Sequence, residues 1–189
     1  MSDRLEQIPD RTQFTDEAYG VLGRALAFAT DFERNCKLLA SIIGVKMNSG
    51  DLFSDMDKMN EFVSAIHKKT LYKNIKNIKR IKGTKDMNKD HLLAFDYIQK
   101  VFTKRLLKGK DARNYVAHDA GSVLEDILKD DERETFINNI KEKIHILADA
   151  NICAISLNNV MVKEPVMLTE HHDRYIKEVT DWVCETDDD

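Results

Sequence analysis

The segment 108–122 reads KGKDARNYVAHDAGS and carries Arg113, Asn114 and His118 in the order Arg-Asn-x-x-x-His. Histidine is the side chain whose ordinary pKa lies nearest neutrality, so it can give or take a proton. Arginine is always charged and forks onto phosphate oxygens. Asparagine beside them can donate and accept hydrogen bonds. Such a trio suits acid–base work on a phosphate ester. The spacing alone is weak: with 9 Arg and 6 His in 189 residues, Arg followed by His after four to six residues arises about once by chance. The bland alternative is a satisfied, partly buried His118 and an Arg113 paired with Asp111 or another carboxylate. Tyr115, Val116 and Ala117 read as packing residues.

Only 7 Gly and 2 Pro interrupt the chain, which favours long helices. Apolar residues recur at helical spacing. The first stripe is Ala18, Val21, Leu22, Ala25, Phe28, Phe32, Cys36, Leu39 and Ile43, stopping near Gly44. A second helix opens at Ser54, a good N-cap. Its stripe runs Met56, Met59, Phe62, Val63 and Ile66 and continues through Leu71, Ile75 and Ile78. A third starts near Asn88, carries Leu92, Phe95, Ile98, Val101, Phe102 and Leu106, and is interrupted at Gly109. Asp111 then caps a short helix that holds the motif and ends near Gly121. Phe136, Ile137, Ile140, Ile144 and Leu147 mark a fifth helix reaching towards Ile155, and Thr169 caps a last one with Tyr175, Val179, Trp182 and Val183. Strand has room only at about 152–168. The expected fold is an all-α antiparallel helical bundle, with a four-helix core plus the short motif helix and the C-terminal helix. It spans 1–189 as one domain, with an acidic, frayed tail at 185–189.

Hydrophobic residues at 42% and charged residues at 33% fit a globular chain and argue against disorder. No apolar run has the length of a membrane span, and the N-terminus MSDRLEQIPD lacks a signal-peptide core. The expectation is a cytoplasmic protein with no membrane partner. Cys36, Cys153 and Cys184 are far apart and odd in number, so they read as free thiols. Net charge is −4, which excludes a generic polyanion binder, but the charge is uneven. From His67 to Lys85 there are eight Lys or Arg and no Asp or Glu. Lys69, Lys73, Lys76 and Arg80 fall at spacings of 4, 3 and 4, which puts them on one helix face. That face is either a solvated exterior or a track for a phosphate backbone. Residues 119–134 are acidic by contrast.

At about 100° per residue, Arg113 and His118 stand roughly 140° apart on an α-helix, whereas Asn114 and His118 are about 40° apart. Asn114 and His118 are therefore expected to share a face. His171, His172 and Asp173 look like a metal cluster on paper, but adjacent histidines on a helix diverge, so they read as a polar first turn. Asp31, Glu33 and Arg34 read as ion-pairing residues, within the first helix or between helices, with a place at the border of a cleft as the alternative. His67 begins the basic stretch and is at most a substrate contact, and His145 reads as a surface residue. No metal or other cofactor is expected.

Around Arg113, Asn114 and His118 the sequence resembles the HEPN superfamily, small helical-bundle proteins many of which are metal-independent endoribonucleases. Their signature is Arg-x(4–6)-His, frequently with a polar residue such as Asn after the Arg, and the resemblance covers about 108–122. It implies a HEPN-like domain that cleaves RNA at the cleft of a homodimer, where two copies of the motif face each other. His118 would act as acid or base, Arg113 would stabilise the transition state and Asn114 would orient. Lys69, Lys73, Lys76 and Arg80 would bind the RNA. The setting it implies is a toxin or phage-defence effector, with an antitoxin or regulatory protein as a further partner. One toxin branch carries a Tyr two residues after the His as a modification target; here that residue is Ala120, so such control is not supported. The alternative is a non-catalytic HEPN-like module that binds RNA or protein.

Overall fold

A computed structural model describes residues 13–47, 56–78, 89–124, 133–162 and 169–185. Among them no strand occurs, and the architecture is an all-α helical bundle. The helices are α1 (Gln13–Met47), α2 (Met56–His67), α3 (Leu71–Ile78), α4 (Lys89–Asn114), α5 (Arg133–Val162) and α6 (Thr169–Cys184), with a π-helical turn at Tyr115–Asp119. Ser54, Arg80 and the tail beyond Glu185 lie outside the described residues, as do the side chains of Leu92, Phe95 and Ile98. Among the described residues no helix is long and apolar enough to cross a membrane.

The nine stripe residues of α1, from Ala18 to Ile43, are all buried. At roughly 1.5–3 kcal/mol for each large apolar side chain, this one face supplies much of the drive for the helix to dock. It lies along α5, which is the centre of the molecule and packs against α1, α4 and α6. Residues 150–154 of α5 are buried without a gap, so this helix has no solvent face there. The weak periodicity near 152 follows from that burial, and the residues to Val162 are helical instead of strand.

Two expected helix stops are absent. α1 runs past Gly44 to Met47, and α4 runs past Gly109 to Asn114. Each glycine marks a close approach. A Cβ at Gly44 would stand 2.7 Å from Phe62 Cε1 of α2, and one at Gly109 would meet the Cβ of Ala150 on α5 and stand 2.8 Å from Phe32 Cζ on α1. Gly109 costs α4 about 1 kcal/mol in helix propensity. It lets α1, α4 and α5 meet in one layer, so burial outweighs propensity. Asp111 is accordingly mid-helix and pairs with Lys110 instead of capping a new helix.

One expected continuity is absent. The stretch from Met56 to Ile78 breaks at 68–70 into α2 and α3. Thr70 caps α3, its Oγ1 accepting from the Lys73 amide at 3.4 Å. The buried Asn74 donates to the carbonyls of Ile66 at 3.4 Å and Lys69 at 3.5 Å, closing the end of α2. The apolar stripe is also less buried than its pattern implies: in α2 only Ile66 is buried, and Met56 is 66% exposed. In α6, Val183 is buried but Trp182 is 53% exposed.

Gly109→Ala tests the close approach. The methyl group must push α4 from α5, and the strain of overpacking, about 1–3 kcal/mol, exceeds the propensity gained. Thermal unfolding should shift down by several degrees. An unchanged or raised midpoint would mean that the helices have room to spare.

Candidate active site

The motif does not sit at the start of a short helix. Arg113 and Asn114 end α4, and His118 lies in the π turn that follows. The chain passes through this turn with its amides engaged; the Ala120 amide donates to the Tyr115 carbonyl five residues back. A helix start would offer free N–H groups to a phosphate; the motif, at a helix end, does not.

The π turn has a cause in the packing. Ala112, Val116, Ala120 and Leu124 are all buried, at three successive spacings of four. On a uniform α-helix the twelve residues from Ala112 to Leu124 would drift by about 120°, which turns Leu124 off the core. One additional residue taken up in a π turn absorbs about 100° of that drift. Val116 is thus a core residue as expected, and Tyr115 packs half-buried against the core.

The same turn corrects the predicted separation of the motif side chains. With one residue absorbed, Arg113 and His118 become neighbours on one face. Arg113 Nη1 stands 3.3 Å from His118 Nε2 and 3.4 Å from Asn114 Oδ1. Arg113, not the asparagine, is the hub, and Asn114 contacts Arg113 instead of His118. A guanidinium can only donate, so this contact is a hydrogen bond when His118 Nε2 is unprotonated, the form in which an imidazole acts as a base. Asn114 and His118 are exposed, and Arg113 is half-buried behind them.

Behind Arg113 stands Glu33 of α1. Arg113 Nη2 lies 2.6 Å from Glu33 Oε2, and Lys37 Nζ lies 2.9 Å from Glu33 Oε1. Burial acts to raise the Glu33 carboxyl, but the Lys37 hydrogen bond and the charges of Arg113 and Lys37 outweigh it, and the pKa falls below its ordinary value of 4.5. Two cations share one carboxylate, so the cluster keeps one positive charge. Lys143 of α5 stands 5.5 Å from the Tyr115 ring centroid, but its Nζ is paired with Glu142 at 2.9 Å and adds no free charge. The arrangement can hold an anion in front of a proton acceptor. Glu33 was legible as an ion-pairing residue that could border the cleft; which partner it takes, 80 positions away, was not.

The basic track is partly reshaped. Lys69 falls in the break between α2 and α3, so it does not share a helix face with Lys73 and Lys76, which lie together on the exposed side of α3. Arg80 lies outside the described residues.

A second polar cluster escaped the sequence reading. Arg105 Nη1 donates to Asp149 Oδ1 at 2.9 Å, and His172 Nε2 meets the same oxygen at 2.9 Å. His172 Nδ1 lies 3.3 Å from Asp173 Oδ1. The first turns of α6 are polar as expected, and His172 ties that helix to α4 and α5. No spacing signals this, because the residues come from three helices. A cavity of about 510 Å³ between α5 and α6 is lined by Lys141, His145, Asp149, His172 and Lys177 among others. It contains none of the motif residues. Lys177 is paired with Asp181, and Asp149 with Arg105 and His172, so much of its charge is spent internally. The nearby Cys153 thiol is pushed up to about 11 by burial and by Asp149, which makes it a poor nucleophile. Among the described residues no three His, Cys, Asp or Glu side chains gather to hold a metal ion.

No protein-family model, curated protein or solved structure matches the chain significantly.

Glu33→Gln probes the ion pair. A carboxyl whose pKa is lower in the folded chain stabilises the fold above its unfolded value, and that contribution is lost as pH falls through the folded value. The variant should be less stable at pH 7 by about 1–2 kcal/mol in urea unfolding. The gap to wild type should close as pH falls below 4.5. Equal stability at pH 7 would show that the pair contributes nothing.

Proposed function

We propose that this chain is a metal-independent endoribonuclease of HEPN type, acting in the cytoplasm as a homodimer. The supporting observation is the π turn: it sets the always-charged Arg113 at 3.3 Å from the exposed His118, with Glu33 holding the guanidinium from behind. An arginine, an imidazole and a spare positive charge are what cleavage of a phosphodiester by its own 2′-hydroxyl needs.

In this mechanism His118 takes the proton from the RNA 2′-OH. The 2′-oxygen bonds to its own phosphorus while Arg113 stabilises the charge that builds on the phosphoryl oxygens. The P–O5′ bond breaks, and the leaving oxygen takes a proton from the imidazolium of the second copy. The products are a 2′,3′-cyclic phosphate and a 5′-hydroxyl. Asn114 steadies Arg113. The nucleophile is part of the substrate, so the route has no step that calls for a metal or cofactor. The biological setting that fits is a toxin or phage-defence effector restrained by an antitoxin or regulatory protein.

A second reading, a non-catalytic RNA- or protein-binding module, is favoured by one observation: Arg113 is already satisfied by Glu33 without any ligand. Cleavage of labelled RNA in EDTA separates the two. Wild type should give cyclic-phosphate ends. His118→Ala should be slower on the order of 10²- to 10⁴-fold, with folding intact because the residue is exposed. Arg113→Lys should remain impaired, since a point charge does not replace the fork. An undiminished His118→Ala rate, or 5′-phosphate products, would sink the mechanism. Salt-dependent binding without turnover in wild type would favour the module.

A further inference from the structure

The exposed side of α3 has a composition that the proposed chemistry does not use. Leu71, Asn74, Ile75 and Ile78 face inward and are buried. Tyr72, Lys73 and Lys76 face outward and are exposed, with Lys68 and Lys69 beside them in the break before the helix. No acidic residue lies between His67 and Ile78. Tyr72 keeps 50% of its surface open, although Tyr115 and Tyr175, the rings that pack against the core, are half-buried. It sits four residues before Lys76, so ring and ammonium share one face. From α4, Lys110 Nζ stands 5.7 Å from the Tyr72 ring centroid. Lys110 is one turn before Arg113, on the same side of α4. An open aromatic ring framed by lysines therefore adjoins the helix that carries the motif.

We propose that Tyr72 is a base-stacking platform for single-stranded RNA, with Lys69, Lys73 and Lys76 neutralising the flanking phosphates and Lys110 leading the strand towards Arg113. The inference rests on the ribonuclease reading for its direction, since it names the form of substrate the site would take. The ring selects that form. A base can stack on an aromatic side chain only when it is free of its own helix, and such stacking tolerates any sequence because every base has a π face. Lysines alone would bind a duplex as readily. The neighbouring pair Lys110–Asp111 limits the charge Lys110 brings, so the ring and the α3 lysines carry most of the affinity.

The test is fluorescence anisotropy of a labelled, unstructured oligoribonucleotide and of a blunt RNA duplex of equal length, on the full chain carrying His118→Ala to prevent cleavage. Tyr72→Ala should weaken single-strand binding about 5- to 100-fold. Tyr72→Phe should hold within about twofold. Tyr72→Leu, which keeps an apolar side chain on α3 without the ring, should lose affinity as Ala does. Duplex binding should be weaker and indifferent to all three. Lys73→Ala with Lys76→Ala should lower the salt slope by about 1.4, and Tyr72→Ala should leave that slope unchanged. Unaltered single-strand binding in Tyr72→Ala and Tyr72→Leu, duplex binding as tight as single-strand binding, or no RNA binding at all would each overturn the proposal. Tighter binding of a polyglutamate peptide than of the RNA would overturn it in favour of an acidic protein partner. Because affinity is read without turnover, a wild type that binds but never cuts fails the nuclease reading alone. A Tyr72→Ala chain that cuts a single strand below saturation as fast as wild type fails the stacking inference alone.

Discussion

The register of the chain after Ala112 is the constraint on which the site depends. Three successive core positions, Val116, Ala120 and Leu124, follow Ala112 at spacings that a uniform α-helix cannot keep on one side. The bundle satisfies them by letting the backbone widen once, at Tyr115–Asp119. That widening is a packing solution first. Its result on the opposite side is that an arginine and a histidine five positions apart, which an α-helix would separate, come into hydrogen-bonding distance. Interior and exterior of the segment are set by one local event, which is consistent with the tendency of such turns to lie at functional sites.

The electrostatics follow from where α1 lies. Its buried stripe fixes it against α5, and that docking aims Glu33 at the guanidinium of Arg113. An arginine held by a half-buried carboxylate keeps fewer rotamers, so less entropy would be lost on engaging an anion. Glu33 also holds Lys37, and the cluster ends with a net positive charge instead of a neutral pair. The second arginine of α4 with a carboxylate and an imidazole, Arg105 with Asp149 and His172, has similar parts and another use: it joins α6 to the bundle.

Much of this was legible in the sequence, for reasons that can be stated. The stripe from Ala18 to Ile43 has strict helical period, and all of it is buried. Arg113, Asn114 and His118 stand out by type and order, and the structure brings Arg113 into contact with the other two. The boundaries failed where tertiary contact overrode local preference. Gly109 reads as a breaker until Phe32 and Ala150 are seen against it. Met56 to Ile78 reads as one helix because its apolar period survives a break made by two polar side chains, Thr70 and Asn74. The π turn did leave a trace, the run of fours from Ala112 to Leu124, but it shows only when core positions are counted through the motif and not around it. Glu33 and His172 were visible as polar residues, but their partners, 80 and 23 positions distant, were not.

The unequal burial of the helices also sets an order of motion. α5 is enclosed by α1, α4 and α6, and its middle has no open side, so its amides should be among the last to exchange with solvent. α2 is held by the buried Ile66 and by Phe62 against Gly44, fewer anchors than α5 has, and can open while the centre stays closed. Arg113 and His118 lean on the slow part of the molecule, whereas Lys68 and Lys69 hang from the end of the fast part. The Arg113–His118 pair and the lysines before α3 would then fluctuate on separate timescales, and a loss of order in one need not reach the other.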